Sequence, residues 1–194
     1  MEKDCQRVRH IRETLLSDNW YTLKNYTFEF LRRDGTWQTQ SREAYDRGNG
    51  AVILLYNKAR RTVVLTRQFR FPLYINGHSG FLIEAAAGLL DNASPEARVM
   101  AEAEEETGFQ ITQVEKVFEA YMSPGSVTEK LYFFIGEYRA RHRRGEGGGV
   151  MEEGEDIEVL EWPFERALKA IDTGDIMDAK TIMLLHYLAI HAKL

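Results

Sequence analysis

Three glutamates, Glu102, Glu105 and Glu106, stand at i, i+3 and i+4 in the segment from Gly88 to Phe109, GLLDNASPEARVMAEAEEETGF. Pro95 and Glu96 suit the first turn of a helix, and Gly108 suits its end. On a helix that spacing sets the three carboxylates on one face. Like charges so placed repel one another, and the arrangement costs stability unless a cation sits between them. A hard divalent ion that prefers oxygen ligands, such as Mg²⁺, is the natural partner. The plainer alternative is a solvated acidic face, which is what most charge runs are.

The segment resembles the signature of the Nudix hydrolases: a Gly, five residues, a Glu, seven residues, then Arg-Glu-aliphatic-x-Glu-Glu-x-Gly-aliphatic. Glu102, Ala103, Glu105, Glu106, Gly108 and Phe109 match its second half. The first half departs from it. Gly88 lies one residue closer to the paired glutamates than the pattern asks, Ser94 stands where the first Glu would fall, and Ala101 stands where the Arg would. In the family that Arg or Lys helps to orient the metal-binding glutamates. Arg98, at i, i+4 from Glu102, is a partial substitute.

These residues need a scaffold. At 194 residues the chain suits one domain with an accessory piece, and it can bury a real core. Hydrophobic content of 44% and charged content of 28% are those of a soluble globular protein. A net charge of −5 argues against a nucleic-acid partner, and an anionic substrate would need local Arg, Lys or a metal. Cys5 is the only cysteine, so no internal disulfide forms, which fits a reducing cytoplasm. No apolar run could span a membrane, and the N-terminal MEKDCQRV lacks a signal peptide's apolar core.

The chain divides near Asp46, into an N-terminal β unit over 1–46 and a second domain over 47–194. In the first, Trp20 to Leu31 alternates, Arg33-Asp34-Gly35 signals a turn, and Thr36 to Tyr45 reads as the returning strand. So small a β unit must pack on its own domain or on a partner subunit. After Gly48-Asn49-Gly50, strands are expected over Ala51–Tyr56, Thr62–Arg67, Gly80–Ala87, Val114–Tyr121, Leu131–Tyr138 and Ile157–Trp162. Helices are expected over Pro163–Ile171 and Ala179–Ala192. Between Arg139 and Asp156 a basic run, RARHRR, leads into GEGGGV and MEEGED. So glycine-rich a loop reads as a mobile flap carrying acid groups to a bound substrate, or as a plain surface excursion.

Tyr45-Asp-Arg-Gly-Asn-Gly-Ala51, Arg67-Gln-Phe-Arg70, Gly88-Leu-Leu-Asp-Asn92, Tyr121-Met-Ser-Pro-Gly-Ser-Val-Thr-Glu129 and Glu155-Asp-Ile-Glu-Val-Leu-Glu161 carry the resemblance further. Together they look like the GDP-mannose pyrophosphatase branch of the ADP-ribose pyrophosphatase-like Nudix enzymes, from about Leu16 to Leu188. The resemblance implies an α/β fold: a Nudix α/β/α sandwich with a mixed sheet, plus a small N-terminal antiparallel β unit exchanged or packed between two subunits of a homodimer. It implies Mg²⁺-dependent hydrolysis, with Mn²⁺ as a substitute, of a nucleoside diphosphate sugar, GDP-mannose foremost. An ADP-ribose or ADP-sugar pyrophosphatase remains an alternative, as does a Nudix-fold binding protein without turnover, which Ser94 and Ala101 favour.

Site residues follow from the same resemblance. Glu102 and Glu106 are the expected metal ligands, with Glu105 sharing a second ion or acting through water and the Ala87 carbonyl completing the shell. Glu84 stands where relatives keep a carboxylate of the metal network. Arg70 and Arg67 are expected at phosphate oxygens. Glu129 is expected at sugar hydroxyls or a water, and Tyr45, Asp46 and Arg47 at the nucleotide, across a dimer. Similar enzymes draw a general base from the glycine-rich loop. Alignment on Asp156-Ile157 puts Glu153 first, Glu155 second and Glu152 third.

Overall fold

The computed structural model describes residues 6–191, 193 and 194, and Glu153 by its backbone alone. Cys5, and Ala192 at the expected end of the last helix, lie outside the described residues. The chain forms two compact units, Met1–Gly48 with Tyr121–Glu129, and Asn49–Ala120 with Lys130–Leu194.

The first unit is an antiparallel sheet in the order β1 (Val8–Asp18), β2 (Thr22–Leu31), β3 (Trp37–Asp46). β2 and β3 pair without a break from Thr22↔Asp46 to Leu31↔Trp37. Their turn closes on Gly35, whose φ of +82° suits a residue without Cβ. Asp34 Oδ1 accepts from the Thr36 amide and hydroxyl at 3.0 and 2.6 Å. The strand β1 was not expected. Arg9, His10, Arg12 and Glu13 interrupt its apolar alternation, and its register against β2 shifts twice. No residue of the three strands is fully buried. Ile11 is 62% and Trp20 84% exposed, and Leu15 and Leu16 are also exposed. Residues 121–129 join this unit edge-on: Tyr45 N donates to Ser126 O at 2.8 Å, and Thr128 N donates to Tyr45 O at 3.1 Å.

The second unit is a mixed sheet in the order β10-β5-β4-β9-β8, with β6 paired to β5 and β7 to β4. Its strands are β4 (Gly50–Asn57), β5 (Thr62–Phe69), β6 (Phe81–Glu84), β7 (Ala86–Leu89), β8 (Glu115–Tyr121), β9 (Lys130–Glu137) and β10 (Glu158–Pro163). Its α-helices are α1 (Phe71–Ile75), α2 (Pro95–Thr107), α3 (Phe164–Thr173) and α4 (Ala179–Ile190). β4 runs parallel to β9 and antiparallel to β5 and β7. It reads as an unbroken apolar run because both its faces are covered. Ala51, Ile53 and Leu55 share a core with Val99 and Ala103 of α2, and with Phe109, Phe134 and Tyr138. α4 packs against β4 and β9, and its Leu184, Leu185 and Leu188 are fully buried. The expected α/β/α sandwich is therefore the observed fold. Among the described residues no helix is long and apolar enough to cross a membrane.

Two local differences matter. The expected strand over Gly80–Ala87 is two strands, because the chain leaves β5 after Glu84 and joins β4 from Ala86, pairing Ala87 with Val52. The short α1, also not expected, follows Arg70 and has Pro in its first turn.

Candidate active site

α2 carries the acidic cluster, and its ends are capped as its sequence asks. Ser94 Oγ accepts from the Ala97 amide at 3.2 Å, and Gly108 closes the helix at φ 75°. Ser94, which departs from the family signature, thus works as the N-cap. The three glutamates do not share one environment. Glu102 and Glu106 point inward at 4% and 1% exposure, whereas Glu105 is exposed.

The inner pair is electrostatically uncomfortable. Burial, followed by repulsion from Glu102 and Glu155, pushes the Glu106 carboxyl well above its usual range, and Arg70 only partly offsets it. Burial likewise raises Glu102 to about 7, with Arg98 opposing and Glu105 and Glu155 adding to the rise. Glu106 Oε2 is buried without a hydrogen-bond partner. A buried acceptor left unpaired costs on the order of 1–3 kcal/mol. Two buried carboxylates, one with an orphaned oxygen, are a donor set that fits a hard divalent cation. Glu102 Oε1 is paired with Arg98, and Gly88 leaves the room, since a Cβ there would collide with the Glu102 carboxylate. Among the described residues no three acidic, histidine or cysteine side chains are gathered closely enough to hold an ion as they stand. The backbone supplies the remaining candidate: β7 carries Ala87 immediately before Gly88.

The glycine-rich loop is fastened to the end of α2. Gly148 N donates to Glu106 O at 3.0 Å, Gly149 N to Glu105 O at 3.1 Å, and Arg144 N to Gly108 O at 2.8 Å. These carbonyls belong to the last turn or cap of the helix and lack partners inside it. The loop expected as a mobile flap or a plain surface excursion is thus docked on the end of α2. Of its glutamates, Glu155 is half-buried and accepts from Val150 N at 2.9 Å, and its charge reaches Glu102 and Glu106. Glu152 is exposed, and the Glu153 side chain lies outside the described residues.

Beside this cluster lies a network that the sequence reading did not assemble. Glu84, 3% exposed, accepts from Arg70 Nε at 2.7 Å and from Lys180 Nζ at 2.5 Å. Burial pushes Glu84 upward, but Lys180 and Arg70 outweigh it and hold the carboxyl below its ordinary value. Glu84 is thus engaged with cations of the chain itself. Lys180 also donates to Asp178 at 2.9 Å, and Asp178 caps α4. Thr181 donates its hydroxyl to Asp178 at 2.5 Å and accepts from the Ala85 amide at 2.7 Å. The signal available in the sequence was Asp178 at the start of an apolar helix, a cap position. Its link to the β6–β7 junction is long-range.

Arg67 is engaged differently from Arg70. It pairs with Glu158 at 3.1 Å and lies over the Phe81 ring, 4.4 Å from its centroid. In the first unit Tyr45, Arg47 and Glu129 come together. Arg47 Nε lies 3.5 Å from Glu129 Oε1, its guanidinium lies over Tyr21, and Tyr21 meets Tyr45 edge-on at 5.9 Å. Asp46 accepts from the Thr128 hydroxyl at 2.8 Å.

A family profile described as the GDP-mannose pyrophosphatase NudK N-terminal domain matches residues 7–45. A GDP-mannose pyrophosphatase of Escherichia coli O9:H4 (strain HS) is 55% identical over 184 residues, covering 94% of this chain and 95% of that one. One from Salmonella arizonae is 54% identical over the same shares. The crystal structure of an ADP compounds hydrolase superposes with a TM-score of 0.68 over 96% of this chain and 100% of that one; at 16% identity it speaks for the fold alone. With more than half its residues shared along nearly its whole length, this chain belongs to the GDP-mannose pyrophosphatase family of Nudix hydrolases.

Proposed function

We propose that this chain hydrolyses the pyrophosphate bond of GDP-mannose, water adding to one phosphorus to yield GMP and mannose 1-phosphate. The observation that carries the reading is the buried Glu102–Glu106 pair with an orphaned Glu106 oxygen, on the helix that bears the signature. Membership of the family supports the choice of substrate. Glu102, Glu106 and the Ala87 carbonyl would hold Mg²⁺, or Mn²⁺ in its place, with exposed Glu105 acting at the rim through water. The ion, when bound, screens the phosphate charge and activates water.

The chain's own residues do the rest. Arg70, held in place by Glu84, offers its remaining N–H groups to phosphate oxygens. Arg67 contributes charge at the strand end. Glu129, Tyr45 and Arg47 form the sugar and nucleotide contacts of a homodimer assembled through the N-terminal unit, a domain over 1–46; the hydrolase domain is 47–194. The apolar side chains that this unit exposes support the dimer. Cytoplasmic residence fits the single cysteine. For the general base the candidates are Glu153, first by alignment, and Glu155, whose carboxylate stands on the docked loop within electrostatic reach of both metal-site glutamates.

A panel of nucleotide sugars assayed with Mg²⁺, reading phosphate after phosphatase treatment, tests the reading. GDP-mannose should give the highest kcat/KM, and a higher value for ADP-ribose would overturn the substrate. Glu155→Gln should lower kcat by about 10²–10⁴ with KM nearly unchanged. If Glu153→Gln does so instead, the base is Glu153.

A further inference from the structure

We propose that Arg98 is the positioning residue for Glu102, doing in this chain the work of the signature arginine that Ala101 replaces. The inference rests on the reading of Glu102 and Glu106 as metal ligands.

Three features say that Arg98 is not there for the helix. It sits in the fourth position of α2, close to the positive end of the helix dipole, where a cation is disfavoured. Its partner lies four residues toward the C-terminus, the weaker orientation for an ion pair on a helix. Its Nε is buried with no acceptor. All three are local costs. What the arrangement achieves is placement. One N–H group of the guanidinium holds Oε1 of Glu102, whose side chain is 5% exposed. Among the described residues Arg98 is the one side chain that forms an ion pair with the Glu102 carboxylate, and it does so through Oε1. Gly88 completes the seat: a Cβ there would meet both the Glu102 carboxylate and, at 3.1 Å, Arg98 Nε. An arginine at 98 reaches Glu102 along the helix face by i, i+4 spacing.

The sign of the effect separates placement from simple charge. Deleting a positive charge beside a cation site should tighten metal binding by Coulomb's law; deleting a residue that orients the ligand should weaken it. Mn²⁺ binding to the full-length protein, measured by electron paramagnetic resonance without substrate, reads this directly. Arg98→Ala should weaken Mn²⁺ by about 10–100-fold, the usual cost of losing a residue that orients a ligand. Arg98→Lys should recover most of the affinity, and Ala101→Arg introduced into Arg98→Ala should recover part of it. Should Arg98→Ala not fold, Arg98→Gln carries the same expectation. Unchanged or tighter Mn²⁺ binding on losing Arg98, or no recovery in the double variant, would overturn the proposal. Glu106→Gln is the companion arm. If it binds Mn²⁺ as tightly as wild type, the metal site itself is misplaced, and the proposal falls with it for that separate reason.

Discussion

The backbone amide of Gly148 donates to the carbonyl of Glu106 across 3.0 Å. The loop that carries the candidate base is thereby tied to the residue whose carboxylate carries the candidate metal site. A disturbance of the loop is therefore expected to reach the glutamates.

Gly147 tests that linkage. Its φ is +72°, and a Cβ would press on Glu106 O and come within 2.7 Å of the Thr107 carbonyl carbon. Gly147→Ala should lift the loop from the helix and lower kcat by about 10²-fold, the scale of an ångström's misplacement. Near-wild-type turnover in steady-state assays would show that loop and helix can part freely.

Acidity gives a second test. In the metal-free protein Glu102 titrates at about 7 instead of its ordinary 4.5. Between those values the folded state keeps a proton that the unfolded chain releases, so metal-free stability falls as pH rises through the window, by about 3 kcal/mol. Glu84, held low, acts in the opposite sense but only below 4.5. Mg²⁺ must displace protons from both Glu102 and Glu106, which burial holds above the usual carboxylate range, so its affinity should climb with pH through that window. Urea midpoints from pH 5 to 8, with and without Mg²⁺, give the two slopes; a flat metal-free profile would contradict the burial argument.

Removing the charge at Glu106 separates stability from function. Glu106→Gln keeps the shape and relieves a buried carboxyl repelled by Glu102 and Glu155. The metal-free variant should melt higher than wild type while its turnover falls by several orders of magnitude. Full activity in saturating Mg²⁺ would remove Glu106 from the site.

The stitch between α4 and the β6–β7 junction is open to a single substitution. Thr181→Val leaves the buried Ala85 amide without its acceptor. The expected loss is about 1–3 kcal/mol of stability. Calorimetry reads the shift in Tm, and an unchanged Tm would mean that the bond contributes nothing net.

Assembly is the fifth test. β1 exposes Ile11 and Leu15 at 62% and 55%, too much apolar surface for a free sheet. Light scattering at micromolar concentration should give a dimer mass, and Ile11→Glu with Leu15→Glu should shift it toward monomer. A fully active wild-type monomer would rule the dimer out.

Much of this protein was determined by local order in its sequence. The spacing of Glu102, Glu105 and Glu106, the Pro95 start and the Gly108 stop specify a capped acidic helix, because helical periodicity and cap chemistry are short-range. The apolar runs of β4, β5 and β9 announce strands for the same reason. Tertiary structure alone decided what those residues meet. It buried Glu102 and Glu106 and left Glu105 in solvent, although helical spacing sets all three on one face. It made Glu84 the anchor of Arg70 and Lys180, joining residues 96 positions apart. It made a strand of Val8–Asp18, whose alternation is too broken to announce one, by lending it β2 as a partner. Periodicity reports which face of an element a residue occupies; burial, pairing and charge compensation depend on what the rest of the chain brings to that face.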